Sequence, residues 1–284
     1  MFRLSEPHGG ALVDRFVAED EAPELERRAA RLPQITLDDR ELSDLELIAT
    51  GAASPLTGFL GVRDYQSVLC RLRLANGTPW PVPFTLAVTL PQLASALREG
   101  AAALRDGRGR LRGTISVTDA FVRSAREEAA AMYGTDDPAH PGVRYLLSRP
   151  TGLIGGSVMV LPVSETDGRA ASPREIRANA RRRRWLGLTG LATSEGLGCI
   201  EGTGDSEGAL LGTHSVAVRH APGRDALLHA IVLKNHGARE VFLEYEHGDW
   251  LGVASRLDGE ELGMTPLLIG TRVTRTSVRS APAV

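Results

Sequence analysis

Arg181, Arg182, Arg183 and Arg184 stand in succession, Cys199 lies between glycines, and seven histidines are spread along the 284 residues. These are the side chains with chemical reach. An arginine cluster grips phosphate or nucleic acid when it lines a groove. This one precedes Trp185 at the end of a helical pattern, where a solvated last turn favoured by the helix dipole is the expected use. Cys199, in Gly196-Leu197-Gly198-Cys199-Ile200, would be nucleophilic if a helix N-terminus lowered its thiol pKa. Otherwise it packs as a small apolar residue. His8, His140, His214, His220, His229, His236 and His247 contain no i, i+4 pair with an acid in a zinc pattern, so no metal site is expected. His229 reads as a satisfied core or hinge histidine. The stretch from Gly204 to Gly212 is glycine-rich but lacks the Lys-Ser/Thr of a phosphate loop.

The elements that position these groups follow from pattern. Charged helices are expected over 19–32 and 36–49, the second with Leu42, Leu45 and Ile48 as its stripe and Gly51 as its stop. Strands are expected over 81–90, 111–117 and 158–163, a hairpin over 107–113 and a helix over 120–133. Polar residues 164–172 suggest a domain boundary. Ser172-Pro173-Arg174-Glu175 then reads as a helix start. A strand over 186–191, a helix over 225–236 and a strand over 240–244 give a parallel α/β unit. Thirty-three basic residues against thirty-five acidic give a net charge of −2, which argues against nucleic acid and anionic membranes as partners. No apolar run approaches the ~18 residues of a membrane span. With two distant cysteines, Cys70 and Cys199, and no leader pattern, a cytoplasmic location is expected.

Several strings resemble the ATP sulfurylase (sulfate adenylyltransferase) family in order and approximate spacing. They include Pro7-His8-Gly9-Gly10, Leu32-Pro33-Gln34-Ile35, Gly51-Ala52-Ala53-Ser54-Pro55-Leu56-Thr57-Gly58-Phe59-Leu60 and Tyr133-Gly134-Thr135-Asp136-Asp137-Pro138-Ala139-His140-Pro141-Gly142-Val143. In the second half, Arg219-His220-Ala221-Pro222-Gly223-Arg224-Asp225 looks like the family's loop and helix near the nucleotide, and Lys234-Asn235-His236-Gly237-Ala238 continues it. The resemblance implies an α/β protein with an α+β first half: a PUA-like β-rich domain over 1–163, a linker over 164–173, a reduced Rossmann-like nucleotidyltransferase domain over 174–270 and a tail over 271–284.

It also implies a site, and the expected residues are largely missing. The family's Gln-x-Arg-Asn and paired histidines hold sulfate and meet the charge of departing pyrophosphate. Here Ala192 replaces Gln, Ser194 replaces Arg, Glu195 replaces Asn, and the histidines fall at Gly198 and Glu201. A carboxylate ~4 Å from a phosphate costs about 4 kcal/mol in a partly dry site. Each lost anion donor costs roughly 3 kcal/mol. The nucleotide or sulfate remnants are Thr193, Arg219, Gly223, Arg224, His247 and Gly248, with Thr193, His247 and Cys199 the weak catalytic candidates. Residues 201–213 read as a flexible glycine shortcut in place of a helix and strand. A homologue without the parent activity is expected, serving as a structural or regulatory partner of another sulfurylase subunit or a sulfur-using enzyme. The alternatives are a rebuilt pocket lined by Glu195, Cys199, Glu201 and His247, or residual sulfate adenylyltransferase activity with ATP and Mg²⁺. A homo-oligomer is compatible with the family.

Overall fold

A computed structural model describes residues 4–162, 171–182, 187–193, 195–203, 209–244 and 265–268. The first half is built on one sheet. Its strands are β1 (Gln34–Thr36), β2 (Gly58–Phe59), β3 (Leu86–Val88), β4 (Ala101–Arg105), β5 (Leu111–Val122) and β6 (Gly152–Val160). The order is β1-β4-β5-β6-β2, with β3 also on β6. Only β1–β4 is parallel. Helices α1 (Ala22–Ala29), α2 (Asp39–Thr50), α3 (Val62–Arg71), α4 (Leu90–Glu99), α5 (Ala125–Tyr133) and α6 (Pro141–Ser148) surround it.

Local chemistry explains the helix ends. Asp38 caps α2 with Glu41 reaching back, and Gly51 closes it in the left-handed conformation at φ 81°. Helix α4 was not anticipated, although Thr89 and Gln92 form a capping box and Gly100 ends it. Its first residue, Leu90, is the last of the apolar run expected to be a single strand over 81–90, of which only 86–88 pair. Helix α5 starts at 125, not 120, because β5 continues to Val122 against β6. For the same reason β6 begins at 152 rather than 158.

The second half contains α7 (Pro173–Arg182), β7 (Gly187–Thr193), β8 (Leu197–Thr203), β9 (Ala209–Ser215), α8 (Pro222–His236), β10 (Glu240–Glu244) and β11 (Thr265–Leu268). Ser172 and Glu175 cap α7 reciprocally, as their spacing predicts. The sheet order is β11-β10-β7-β8-β9. Strands β7, β10 and β11 run parallel, so the α/β expectation holds there. Where it is described, the flexible shortcut does not hold: residues 197–203 pair antiparallel with β7 and 209–215 antiparallel with β8, so Gly202 and Gly212 serve a ladder rather than a loop, while Gly204 and Gly208 lie outside the described residues.

Helix α8 joins the halves. Every residue from Gly223 to His236 is buried, not just one face. One side lies on β7, β8 and β10, where Gly190 lets β7 approach closely: a Cβ there would sit 2.8 Å from Leu233. The opposite side meets the first half. Asn235 donates to the carbonyls of Ala52 and Ser54 at 2.9 and 3.0 Å and accepts from the His8 amide at 2.8 Å. Ser5 Oγ donates to the Lys234 carbonyl at 2.8 Å. Arg177 donates to the carbonyls of Asn235, Ser5 and Lys234 at 2.7–2.9 Å. One hydrophobic cluster accordingly spans both sheets, from Trp80 and Phe84 to Leu228 and Ile231.

Candidate functional site

In parallel α/β sheets, ligands gather at the carboxyl ends of the strands, where a helix N-terminus offers amide donors. At the end of β7, Ala192 is fully buried and Thr193 Oγ1 donates to the Leu197 carbonyl at 3.4 Å. The chain then turns. Gly196 adopts φ 84° and its amide donates to the Thr193 carbonyl at 3.2 Å. Strand β8 leaves antiparallel from Leu197. A β-hairpin therefore stands where a strand-to-helix turn would present amides. Glu195 is exposed at this turn, and Glu201 is exposed further along β8. Ser194 lies outside the described residues, as do His247 and Gly248.

Cys199 sits in the middle of β8, opposite Leu191 and Thr213. Burial and the neighbouring Glu201 raise its thiol pKa. That is the reverse of what a nucleophilic thiolate requires, so the catalytic candidacy of Cys199 is not supported by its surroundings.

The arginines of the loop before α8 are both engaged inside the fold. Arg219 is 2% exposed and forms an ion pair with buried Asp44 of α2. Its guanidinium also donates to the Ala217 carbonyl and lies 5.3 Å from the Phe84 ring centre. Arg224 donates to the carbonyls of Pro81 at 2.8 Å, Ala131 at 2.9 Å, Leu69 at 3.1 Å and Val68 at 3.4 Å. Gly223 is buried in the first turn of α8. The amides of Arg219 and Ala221 both donate to the Asp225 carboxylate at 3.1–3.3 Å. Burial raises the Asp225 pKa against the pull of Arg219. A carboxylate of the chain itself thus occupies the place by the helix N-terminus that an anion would take.

Beside Arg219 lies a cavity of about 20 Å³, lined among others by Arg40, Glu41, Asp44, Tyr133 and Tyr145. That is room for water, not for a nucleotide. Arg40 stacks 3.6 Å over the Tyr145 ring, and Tyr145 donates to Asp38 at 2.7 Å. Burial lifts the Glu41 carboxyl to about 6, with Asp38 adding to the rise.

The sequence reading missed one cluster. His214 on β9 faces His229 and His236 on α8, with 3.4 Å between His214 Nε2 and His229 Nδ1. The His214 and His236 rings stack at 5.6 Å. Gly198 makes room: a Cβ there would fall 2.1 Å from His214 Cε1. Burial lowers His229 and His236 to about 4 and His214 well below its ordinary value. The i, i+7 spacing of His229 and His236 was a readable sign of a shared helix face; the partner from β9 was not. Among the described residues no group of three or more His, Cys, Asp or Glu is arranged to hold a metal ion. The arginines at the end of α7 that are described, Arg181 and Arg182, are exposed.

The family model described as a PUA-like domain matches residues 5–163. The sulfate adenylyltransferase of Symbiobacterium thermophilum is 36% identical, the alignment covering 92% of this chain and 80% of that protein. That of Synechococcus sp. (strain JA-3-3Ab) is 33% identical over the same shares. A probable bifunctional SAT/APS kinase 2 of Sorangium cellulosum is 32% identical, covering 93% of this chain and 55% of that one. Among solved structures, the hexameric APS kinase from Thiobacillus denitrificans superposes with a TM-score of 0.63 at 23% identity, covering 94% of this chain and 57% of that chain; it shares the fold. In the described residues no helix is long and apolar enough to cross a membrane. With these identities and this coverage, the chain belongs to the sulfate adenylyltransferase family and carries that family's PUA-like domain in its first half.

Proposed function

We propose that this protein is a sulfate adenylyltransferase homologue without the adenylyl-transfer activity, acting through its fold as a structural or regulatory partner in sulfur metabolism in the cytoplasm. The observation that carries this reading is the engagement of Arg219 and Arg224. The two cations of the loop before α8 are bound by Asp44 and by four backbone carbonyls, which leaves neither to hold sulfate or phosphate. The reaction needs a doubly charged sulfate brought against a charged α-phosphate, so cationic and amide donors are its main requirement. At the end of β7 the chain offers Ala192, Thr193 and Glu195 instead, and Asp225 fills the amides near α8.

The test is the reverse reaction: purified protein with adenosine 5′-phosphosulfate, pyrophosphate and Mg²⁺, with ATP followed by luminescence. The expected result is no ATP above a no-protein control and no thermal shift from ATP or adenosine 5′-phosphosulfate. ATP production that disappears in Arg219→Ala would overturn the reading and mean that sulfurylase chemistry runs on a different donor set.

A further inference from the structure

Three buried histidine rings meet where β9 packs on α8: His214, His229 and His236 are 6%, 1% and 2% exposed. The central pair has room for one proton only. His214 Nε2 lies 3.4 Å from His229 Nδ1, so one nitrogen donates and the other accepts. A second proton there would set two N–H groups head to head. The other nitrogen of His214, Nδ1, is sealed from solvent and has no hydrogen-bond partner among the described residues, so a proton on that side meets no acceptor. Among the described residues, the titratable and charged groups acting on the three rings are all basic. On α8, His229 and His236 act on His214; from the loop before α8, Arg219 acts on His229; from α7, Arg177 acts on His236. On β8 the residue against the His214 ring is Gly198. The Val232 and Ala171 carbonyls favour a charged His236, but burial outweighs them. Strand β9 is the last of the described sheet and pairs there with β8 alone, so it can leave without parting β8 from β7.

We propose that His214 and His229 form an acid-operated release, in which proton uptake frees β9 from α8 while the first sheet stays folded. Burial holds His229 at about 4 and His214 well below its ordinary value, so the opened form binds protons that the packed form excludes. The packing therefore contributes stability that is complete above pH 6.5 and is lost as pH falls toward 4. Two protons set the steepness. Between pH 7.5 and 5.5 the opening constant should rise about tenfold for each histidine, and about a hundredfold for the pair. His8 is buried on the other side of α8, with Nε2 2.6 Å from the Pro79 carbonyl, and it too is held at about 4 by burial. It is a single ring, so it gives the seam between the halves a one-proton dependence, and the steeper response belongs to β9. The release does not depend on whether the chain transfers adenylyl groups, so it can fail or stand separately from the function proposed above.

Hydrogen exchange of the full chain tests this, followed by mass spectrometry and corrected for the intrinsic effect of pH. Between pH 7.5 and 5.5, peptides covering β9 should show the rise of about a hundredfold in opening, while peptides covering β5 in the first sheet keep their protection. His229→Gln alone should cut the rise to about tenfold. His214→Asn combined with His229→Gln should cut it to about tenfold or less, with His236 carrying what remains. The single variant decides the matter if the double one does not fold. A rise as steep in the variants as in the unaltered chain overturns the proposal, and so does protection of β9 that ignores pH. Loss of protection in β5 at the same pH as in β9 also overturns it, because the acid would then unfold the chain as one unit.

Discussion

Replacing Arg219 by alanine should damage the fold, not a binding site. The side chain removed is the partner of Asp44, whose side chain is only 3% exposed. Stranding one member of a buried ion pair costs about 3–5 kcal/mol. For 284 residues, an unfolding entropy of ~2.1 cal/mol/K per residue makes that roughly 5–8 °C in Tm. The loss should also depend on pH. Burial raises the Asp44 pKa, and Arg219 is the largest influence holding it down. Without Arg219 the carboxyl escapes its penalty by binding a proton, so the deficit narrows as pH falls below neutral, by up to about 1.4 kcal/mol per unit. Urea unfolding at several pH values measures both effects. Arg219→Met with Asp44→Leu should recover most of the loss, since a well-packed apolar pair often replaces a buried ion pair without penalty. A loss under about 1 kcal/mol, accompanied by weaker nucleotide binding, would refute the reasoning and place Arg219 in a working anion site.

Asn235→Ala leaves the His8 amide and the Ala52 and Ser54 carbonyls without their partner, and should lower stability by about 3 kcal/mol in urea titrations. Gly198→Ala drives a methyl into the His214 ring and should destabilise by about 1–3 kcal/mol in thermal melts. Unchanged melting would mean that the ring moves aside freely. His229→Gln tests the histidine cluster. Folded His229 titrates at about 4, below its ordinary 6.5, so it contributes stability above pH 6.5 that is lost as pH falls toward 4. The variant's deficit at pH 7.5 should therefore shrink by up to about 1.4 kcal/mol per pH unit across that window, and curves that stay parallel would exclude the cluster from the titration.

Much of the fold was legible because its signals are local. Gly51 closes α2, and Ser172 and Glu175 open α7, as their positions in the sequence predict. The boundaries that slipped did so where pairing with another strand decided the outcome. Val122 stays in β5 because β6 holds it. The same cause hid β8 and β9: glycines 198, 202 and 212 look like loop until β7, β8 and β9 pair. The site was less legible. The changed residues at the end of β7 were visible in the sequence, but the fate of Arg219 and Arg224 was not. Both look like free anion-binding cations, and their partners Asp44, Val68, Leu69, Pro81 and Ala131 lie 93 to 175 residues away.

The contacts of Ser5 and His8 with Lys234 and Asn235 link positions 229 and 227 apart. On a ribosome adding 5–20 residues per second, roughly 10 to 45 s pass before the second member of each pair exists. During that interval the first sheet can close on its own local contacts, but the carbonyls of Ala52 and Ser54 have no Asn235 to bind. The nascent first half therefore presents a bare, hydrogen-bond-accepting seat over Trp80 and Phe84. Helix α8 occupies it only late in synthesis.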